Sequence, residues 1–226
     1  MAWTCSGATN TALIENMWKN GLITDSRIKE AFLKVDRANY SPSMPYEDSP
    51  QPIGHNATIS APHMHAAAIE HMLSYVLPSS ASPAPRVLDV GSGSGYLTHV
   101  LAELVGERGL VVGLEHIEEL KVLGEVNMGK SSEGRRLIES GKVRFRLGDG
   151  RKGWDEAPRE GEESQGTGWD VIHVGASAAE ADTDADNRKA KPTNARGRLQ
   201  EMIHPDWRLG DTRRSESMRR FCATPH

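Results

Sequence analysis

The stretch Arg86-Val-Leu-Asp-Val-Gly-Ser-Gly-Ser-Gly-Tyr96 decides the fold. Val87 to Val90 is a short apolar run broken by one acid, Asp89, and it reads as a buried strand. Gly91, Gly93 and Gly95 follow at alternate positions, and from Tyr96 to Val105 the apolar spacing becomes helical. Glycines at such a junction let the main chain turn sharply and approach a ligand with no Cβ in the way. The spacing is G-x-G-x-G, whereas a pyrophosphate-binding dinucleotide loop needs its third glycine where Tyr96 stands. A nicotinamide or flavin dinucleotide is therefore disfavoured, and a purely structural turn is the plainer alternative.

Toward the C-terminus the alternation continues. Leu110 to Leu114 is a second buried strand, followed by a helical stretch from Ile117. Val143 to Leu147 alternates as a third strand and ends in Gly148-Asp149-Gly150, and Trp169 to Val174 is a fourth. Strands alternating with helices imply right-handed βαβ units, a parallel sheet and helices on both of its faces. The fold class expected is α/β and Rossmann-like. The segment from Lys152 to Gly168, rich in glycine and glutamate (Glu156, Glu160, Glu162, Glu163), reads as a solvated insertion.

Toward the N-terminus, residues 1–77 read as a helical part. Asn10 or Thr11 caps a helix that Asn20-Gly21 ends, Thr24-Asp25 opens a second, and Pro62 suits the first turn of a third. The Pro-punctuated stretch from Tyr40 to Pro62 reads as irregular. Residues 86–178 form the βαβ part. Beyond Glu180 the sizeable apolar residues are sparse, and 180–198 offer nothing larger than alanine to anchor a core. Such a segment cannot offset the entropy of ordering it, so 179–226 is expected to be a disordered tail and the sheet to lack its last strands.

The chain has 226 residues, 37% hydrophobic and 26% charged, with a net charge of -4, which argues against a dedicated nucleic-acid binder. No apolar run approaches the roughly 18 residues of a membrane span, and the N-terminus lacks the basic and apolar regions of a secretory signal. The two cysteines, Cys5 and Cys222, have no metal or redox spacing. A cytoplasmic location, no membrane partner and no metal are the expectations.

Two acids extend the glycine loop. Glu115 ends the second strand, where a carboxylate can accept from ribose hydroxyls, and Asp149 ends the third, within reach of an adenine edge. Ligands of open α/β sheets bind outside the carboxyl ends of the strands, where all of these residues lie. Together they point to S-adenosylmethionine, whose sulfonium has no phosphate to cradle.

Five segments then resemble one family: Pro45-Tyr-Glu-Asp-Ser-Pro-Gln51, Ala57-Thr-Ile-Ser-Ala-Pro-His-Met-His65, Leu88-Asp-Val-Gly-Ser-Gly-Ser-Gly95, Gly148-Asp-Gly150 and Val171-Ile-His-Val-Gly-Ala176. They are similar to the motifs of the protein-L-isoaspartate (D-aspartate) O-methyltransferases, and the resemblance runs to about residue 178. It implies methyl transfer from S-adenosyl-L-methionine to the free carboxylate of isoaspartyl and D-aspartyl residues in damaged proteins, by a monomeric enzyme. By motif match it gives Ser60 the catalytic place. To the cofactor it gives Ala57, Thr58, Ile59, Ser60, His65, Asp89, Gly91, Gly93, Ser94, Gly95, Glu115, His116, Asp149 and Gly150. From the residues alone, Ser60 can equally be a helix N-cap and His65 a core histidine. The family usually carries aspartate where Glu115 stands and continues with further strands where this chain turns polar. An inactive or unstable product, or another S-adenosylmethionine-dependent methyltransferase, are the alternatives.

Overall fold

A computed structural model describes residues 5–157, 168–175 and 200–202. Helix α1 spans Asn10–Lys19 and α2 spans Ser26–Lys34. The cap of α1 is Thr9, one residue before the expected position, its side chain accepting from Ala12 N–H, whereas Asp25 caps α2 as its sequence suggests. Gly21 (φ 69°) follows the Asn20 C-cap, the left-handed position that favours glycine. Strands β1 (Gln51–Gly54) and β2 (Ala57–Ile59) pair antiparallel and lead into α3 (Pro62–Val76). Then follow β3 (Arg86–Val90), α4 (Tyr96–Leu104), β4 (Leu110–Glu115), α5 (Glu118–Met128), α6 (Ser132–Glu139), β5 (Val143–Leu147), β6 (Val171–Val174) and β7 (Gln200–Met202).

The β1–β2 hairpin corrects the expectation of irregular chain up to Pro62. His55 and Asn56 both take positive φ (50° and 56°), the conformation that a two-residue hairpin turn needs to match the twist of its strands. Pro52 is tolerated because it sits on a two-stranded ribbon with free edges.

The main sheet has the order β5-β4-β3-β6-β7. β3, β4, β5 and β6 are parallel, with Asp89 opposite Gly113 on one side and His173 on the other. β7 pairs antiparallel with β6, Glu201 opposite His173. No strand was expected after Glu180; for these three residues that is corrected. Main-chain pairing to an open edge such as β6 requires no apolar side chains, so the polar sequence gave no signal. The rest of the 179–226 tail lies outside the described residues.

The two sheet faces are covered differently. Val87, Val111, Val143, Phe145 and Val171 point into one large core that also holds residues of all six helices. Leu88, Leu110, Val112 and Leu114 point to the opposite face and pack with Trp169 and, partly buried, Trp154. Helices were expected on both faces; among the described residues they occupy one. Right-handed crossovers put α4, α5 and α6 on one side while the strand order runs outward, and the return from β5 to β6 must cross the other side. That return carries only a single 3-10 turn, Gly150–Lys152, and no α-helix in its described part. Glu156, read as part of a solvated insertion, is instead buried, its carboxylate 3.3 Å from Arg144 Nη1 and 2.6 Å from Arg146 Nη2, and Trp154 Nε1 donates to it. Glu160, Glu162 and Glu163 lie outside the described residues.

Candidate active site

The strand order reverses at β3, so the carboxyl ends of β4, β3 and β6 open around one crevice. Main-chain bonds close it: Gly91 N–H donates to Leu114 O (2.8 Å), Gly175 N–H to Val90 O (2.9 Å) and Gly148 N–H to Glu115 O (2.8 Å). Gly91, Gly93 and Gly95 all have positive φ (78°, 50° and 82°). A Cβ on Gly95 would stand 3.0 Å from Gly124 O and 3.1 Å from Phe145 Cζ, so α4 packs against α5 and β5 at the closest approach the chain allows.

Glu115 is buried and organises the loop. Its Oε2 accepts from Gly93 N–H at 3.0 Å, and its Oε1 from His116 N–H at 2.8 Å and Ile117 N–H at 3.2 Å. His116 itself is exposed, with Nδ1 3.0 Å from Glu115 Oε1. Ser94 is buried; its hydroxyl accepts from Tyr96 N–H and its carbonyl from Asn127 Nδ2. The buried Ser92 hydroxyl has no partner among the described residues. Asp149 is held by Arg151, whose Nε and Nη2 both donate at 2.9 Å, and this pairing draws its carboxyl down to about 2. Gly150 lies against β3, where an added Cβ would meet Val90 Cγ1 at 2.3 Å.

Asp89 behaves differently from its neighbours. It is 1% exposed, with Oδ2 accepting from Thr98 Oγ1 at 2.6 Å and Oδ1 2.8 Å from His173 Nδ1. Its side chain braces the loop from behind and does not face the crevice.

The hairpin brings the second half of the site. Ile53 Cδ1 lies 3.4 Å from where a Cβ on Gly93 would be, so β1 and β2 cover the glycine loop. Within it Ala57 is half-buried, Thr58 exposed and Ile59 buried. Ser60 is half-buried, and its hydroxyl has no hydrogen-bond partner among the described residues. The N-cap of α3 is Ala61, with no side-chain cap bond, so Ser60 is not a capping residue here. His65 is buried with its ring 5.3 Å from that of Tyr96, the first residue of α4. Burial, then the charge of Arg37, with His173 and His63 adding to it, holds its pKa well below the ordinary imidazole value. Arg37 and Thr98 were not marked by any sequence signal; each is a single residue in an ordinary helical context, and only the folded contacts give it a place. Among the described residues no group of three or more His, Cys, Asp or Glu side chains is arranged to hold a metal ion.

The cradle fits S-adenosylmethionine. Its glycines leave room for close main-chain approach, an acid ends β4, and the buried Ser92 hydroxyl is unpartnered among the described residues. Residues 8–184 match the family model for Protein-L-isoaspartate(D-aspartate) O-methyltransferase (PCMT). The chain belongs to that family. A protein-L-isoaspartate O-methyltransferase of Caenorhabditis elegans is 44% identical over 179 residues, covering 79% of this chain and 72% of the relative. One of Triticum aestivum is 44% identical over 174 residues, covering 76% and 69%. A solved Plasmodium falciparum structure, described as a protein-L-isoaspartate O-methyltransferase in complex with S-adenosyl-L-homocysteine, superposes with a TM-score of 0.63 at 33% identity, covering 77% of each chain. The family match runs a few residues past the 178 at which the motifs end. Among the described residues no helix is long and apolar enough to cross a membrane.

Proposed function

We propose that this chain methylates the free carboxylate of L-isoaspartyl and D-aspartyl residues in damaged proteins, with S-adenosyl-L-methionine as the donor. The observation that carries the reading is Ser60, half-buried just after the hairpin that covers the glycine loop, with its hydroxyl free of hydrogen bonds among the described residues. The bound cofactor supplies an electrophilic methyl group. The residues then have three tasks. Gly91, Gly93, Ser94, Gly95, Glu115, His116, Asp149 and Gly150 hold the donor at the strand ends. Ala57, Thr58 and Ile59 cover it, with His65 behind them. Ser60 donates its hydroxyl proton in a hydrogen bond to one oxygen of the acceptor carboxylate and so aims the other at the methyl carbon.

No general base is needed, because the free carboxylate is already ionised at neutral pH. Transfer of the methyl group from a bound donor to one carboxylate oxygen would leave a methyl ester and a neutral thioether, so the chain would have no proton to move. Catalysis is then mainly positioning and exclusion of water. The burial of His65 and the neutrality that burial enforces fit this task, since a protonated ring there would compete with Ser60 for the acceptor. We take the protein to act as a cytoplasmic monomer without nucleic-acid or membrane partners; the net charge of -4 is not the basic excess of a nucleic-acid binder.

A second reading, a family member that binds the donor without turnover, is favoured by one observation: the family match stops at residue 184. Transfer of labelled methyl groups to an isoaspartyl peptide, with the aspartyl peptide as control, separates the two. Selective labelling that falls at least about 100-fold in Ser60→Ala supports the enzyme. Donor binding with no labelling of either peptide would leave the second reading standing.

A further inference from the structure

Arg37 is fully buried, yet none of its contacts among the described residues is a carboxylate. Nη2 donates to the Ser60 carbonyl at 2.7 Å, Nη1 lies 3.5 Å from His65 Nδ1, and the guanidinium sits over the Tyr96 ring, Cζ 5.1 Å from its centroid. Its Nε has no partner among the described residues. Asp48, whose Oδ1 is engaged by His63 N–H and His63 Nδ1, favours the charged guanidinium electrostatically but makes no ion pair with it among the described residues. Buried guanidinium groups are normally matched by a contacting anion, since removing the charge from water is expensive. Here the shortest hydrogen bond of the guanidinium goes to the main chain of one residue, Ser60.

The neighbours leave that charge standing. His65 on α3 is held neutral by burial and by Arg37 itself, and burial raises the Tyr96 phenol on α4, which stays protonated. A positive charge therefore sits against the main chain of the residue whose hydroxyl is assigned to the acceptor, buried where it is weakly screened.

We propose that Arg37 is the positioning residue for the anionic acceptor: it fixes Ser60 through its carbonyl and supplies the positive potential that makes the site prefer a carboxylate to a neutral group. This rests on the reading that the acceptor is an isoaspartyl carboxylate. Arg37 does not touch the acceptor. It acts through Ser60 and through its field.

The test is a binding experiment, independent of turnover. The full chain saturated with S-adenosyl-L-homocysteine is titrated calorimetrically with an isoaspartyl peptide and with the same peptide bearing an amide in place of that carboxylate. Wild type is expected to favour the carboxylate at least about tenfold, and Arg37→Gln and Arg37→Met to lose most of that preference while binding the homocysteine product within about threefold of wild type. Arg37→Lys keeps the preference at about pH 6 and loses it by about pH 9, because a buried ammonium gives up its proton where a guanidinium does not. His65, Tyr96, Asp48, His63 and His173 face the same region and are common to wild type, whose preference stays flat over that range. If neither neutral variant folds, the pH profile of Arg37→Lys decides: loss supports the proposal and no change overturns it. Folded neutral variants that keep the full preference overturn it alone. A wild-type complex that binds neither peptide overturns the isoaspartyl reading with it.

Discussion

Asp89 and His173 stand directly opposite each other on neighbouring parallel strands, with His173 Nδ1 2.8 Å from Asp89 Oδ1. A carboxylate can only accept, so Nδ1 carries the proton of this bond, and Nε2 is buried with no partner among the described residues. Thr98 completes the arrangement from the first turns of α4. Two strands and the helix that begins at the glycine loop are thereby locked at one point. Removing the carboxylate orphans two buried donors. Asp89→Ala is expected to cost about 3 kcal/mol in urea unfolding, and Asp89→Asn about half of that, because the Thr98 hydroxyl can reverse and accept from the new amide. Equal losses in the two variants would show that the pairing contributes nothing beyond shape.

Glu115 has a different task, since its oxygens receive main-chain donors from both sides of the crevice: Gly93 on one oxygen, His116 and Ile117 on the other. In Glu115→Gln the amide nitrogen must face one of these sets, donor against donor. The glycine loop or the start of α5 then shifts. We expect product-cofactor affinity, measured by calorimetry, to fall at least about tenfold, with a stability loss of about 1–2 kcal/mol. Unchanged affinity in a folded variant would show that the carboxylate does not order the site.

Much of this was legible in the sequence, because the apolar period reports directly on strands and helices. β3, α4, β4, β5 and β6 stand where that period puts them, to within a residue or two. The β1–β2 hairpin was not legible, because its turn is His55-Asn56 rather than an asparagine–glycine pair and its strands are only three or four residues long. The one-sided arrangement of helices was not legible either. It depends on the strand order, which local pattern does not report, and on a return segment that covers the second face with Trp154 and Trp169 instead of a helix. At the site, Asp89 was recognisable as important, but its partners are nine residues and a strand pairing away. Only the register of β3 against β6 shows that it faces His173 rather than the crevice.

Two glycines with similar main-chain geometry separate conformational from packing cost. Gly21 (φ 69°) has open space where a Cβ would go, whereas a Cβ on Gly95 (φ 82°) would press on Gly124 O at 3.0 Å and Phe145 Cζ at 3.1 Å. Gly21→Ala therefore pays only for the left-handed conformation, about 1 kcal/mol. Gly95→Ala adds displacement of α4 from α5, and about 2–4 kcal/mol together with loss of cofactor binding is expected. Similar unfolding midpoints for the two variants would mean that the loop has room the contacts deny it.

His99 links the same helix to pH. Its ring is 2% exposed, paired through Nδ1 with the Tyr40 hydroxyl and stacked edge-on to its ring, and burial lowers its pKa from 6.5 to about 4. A histidine with a depressed folded pKa destabilises the fold when the unfolded chain takes up a proton that the folded chain refuses. Its contribution is therefore complete above about pH 6.5 and is lost as pH falls toward 4, where the folded ring also titrates. His65, shifted in the same direction, adds to that slope. Unfolding free energy is expected to drop by roughly 2–3 kcal/mol through the His99 shift alone between those limits. His99→Gln, which keeps a polar group against Tyr40 without the proton, should flatten the profile by that amount whatever it does to stability at pH 7. Parallel pH profiles for wild type and variant would show instead that the ring charges freely in the folded protein.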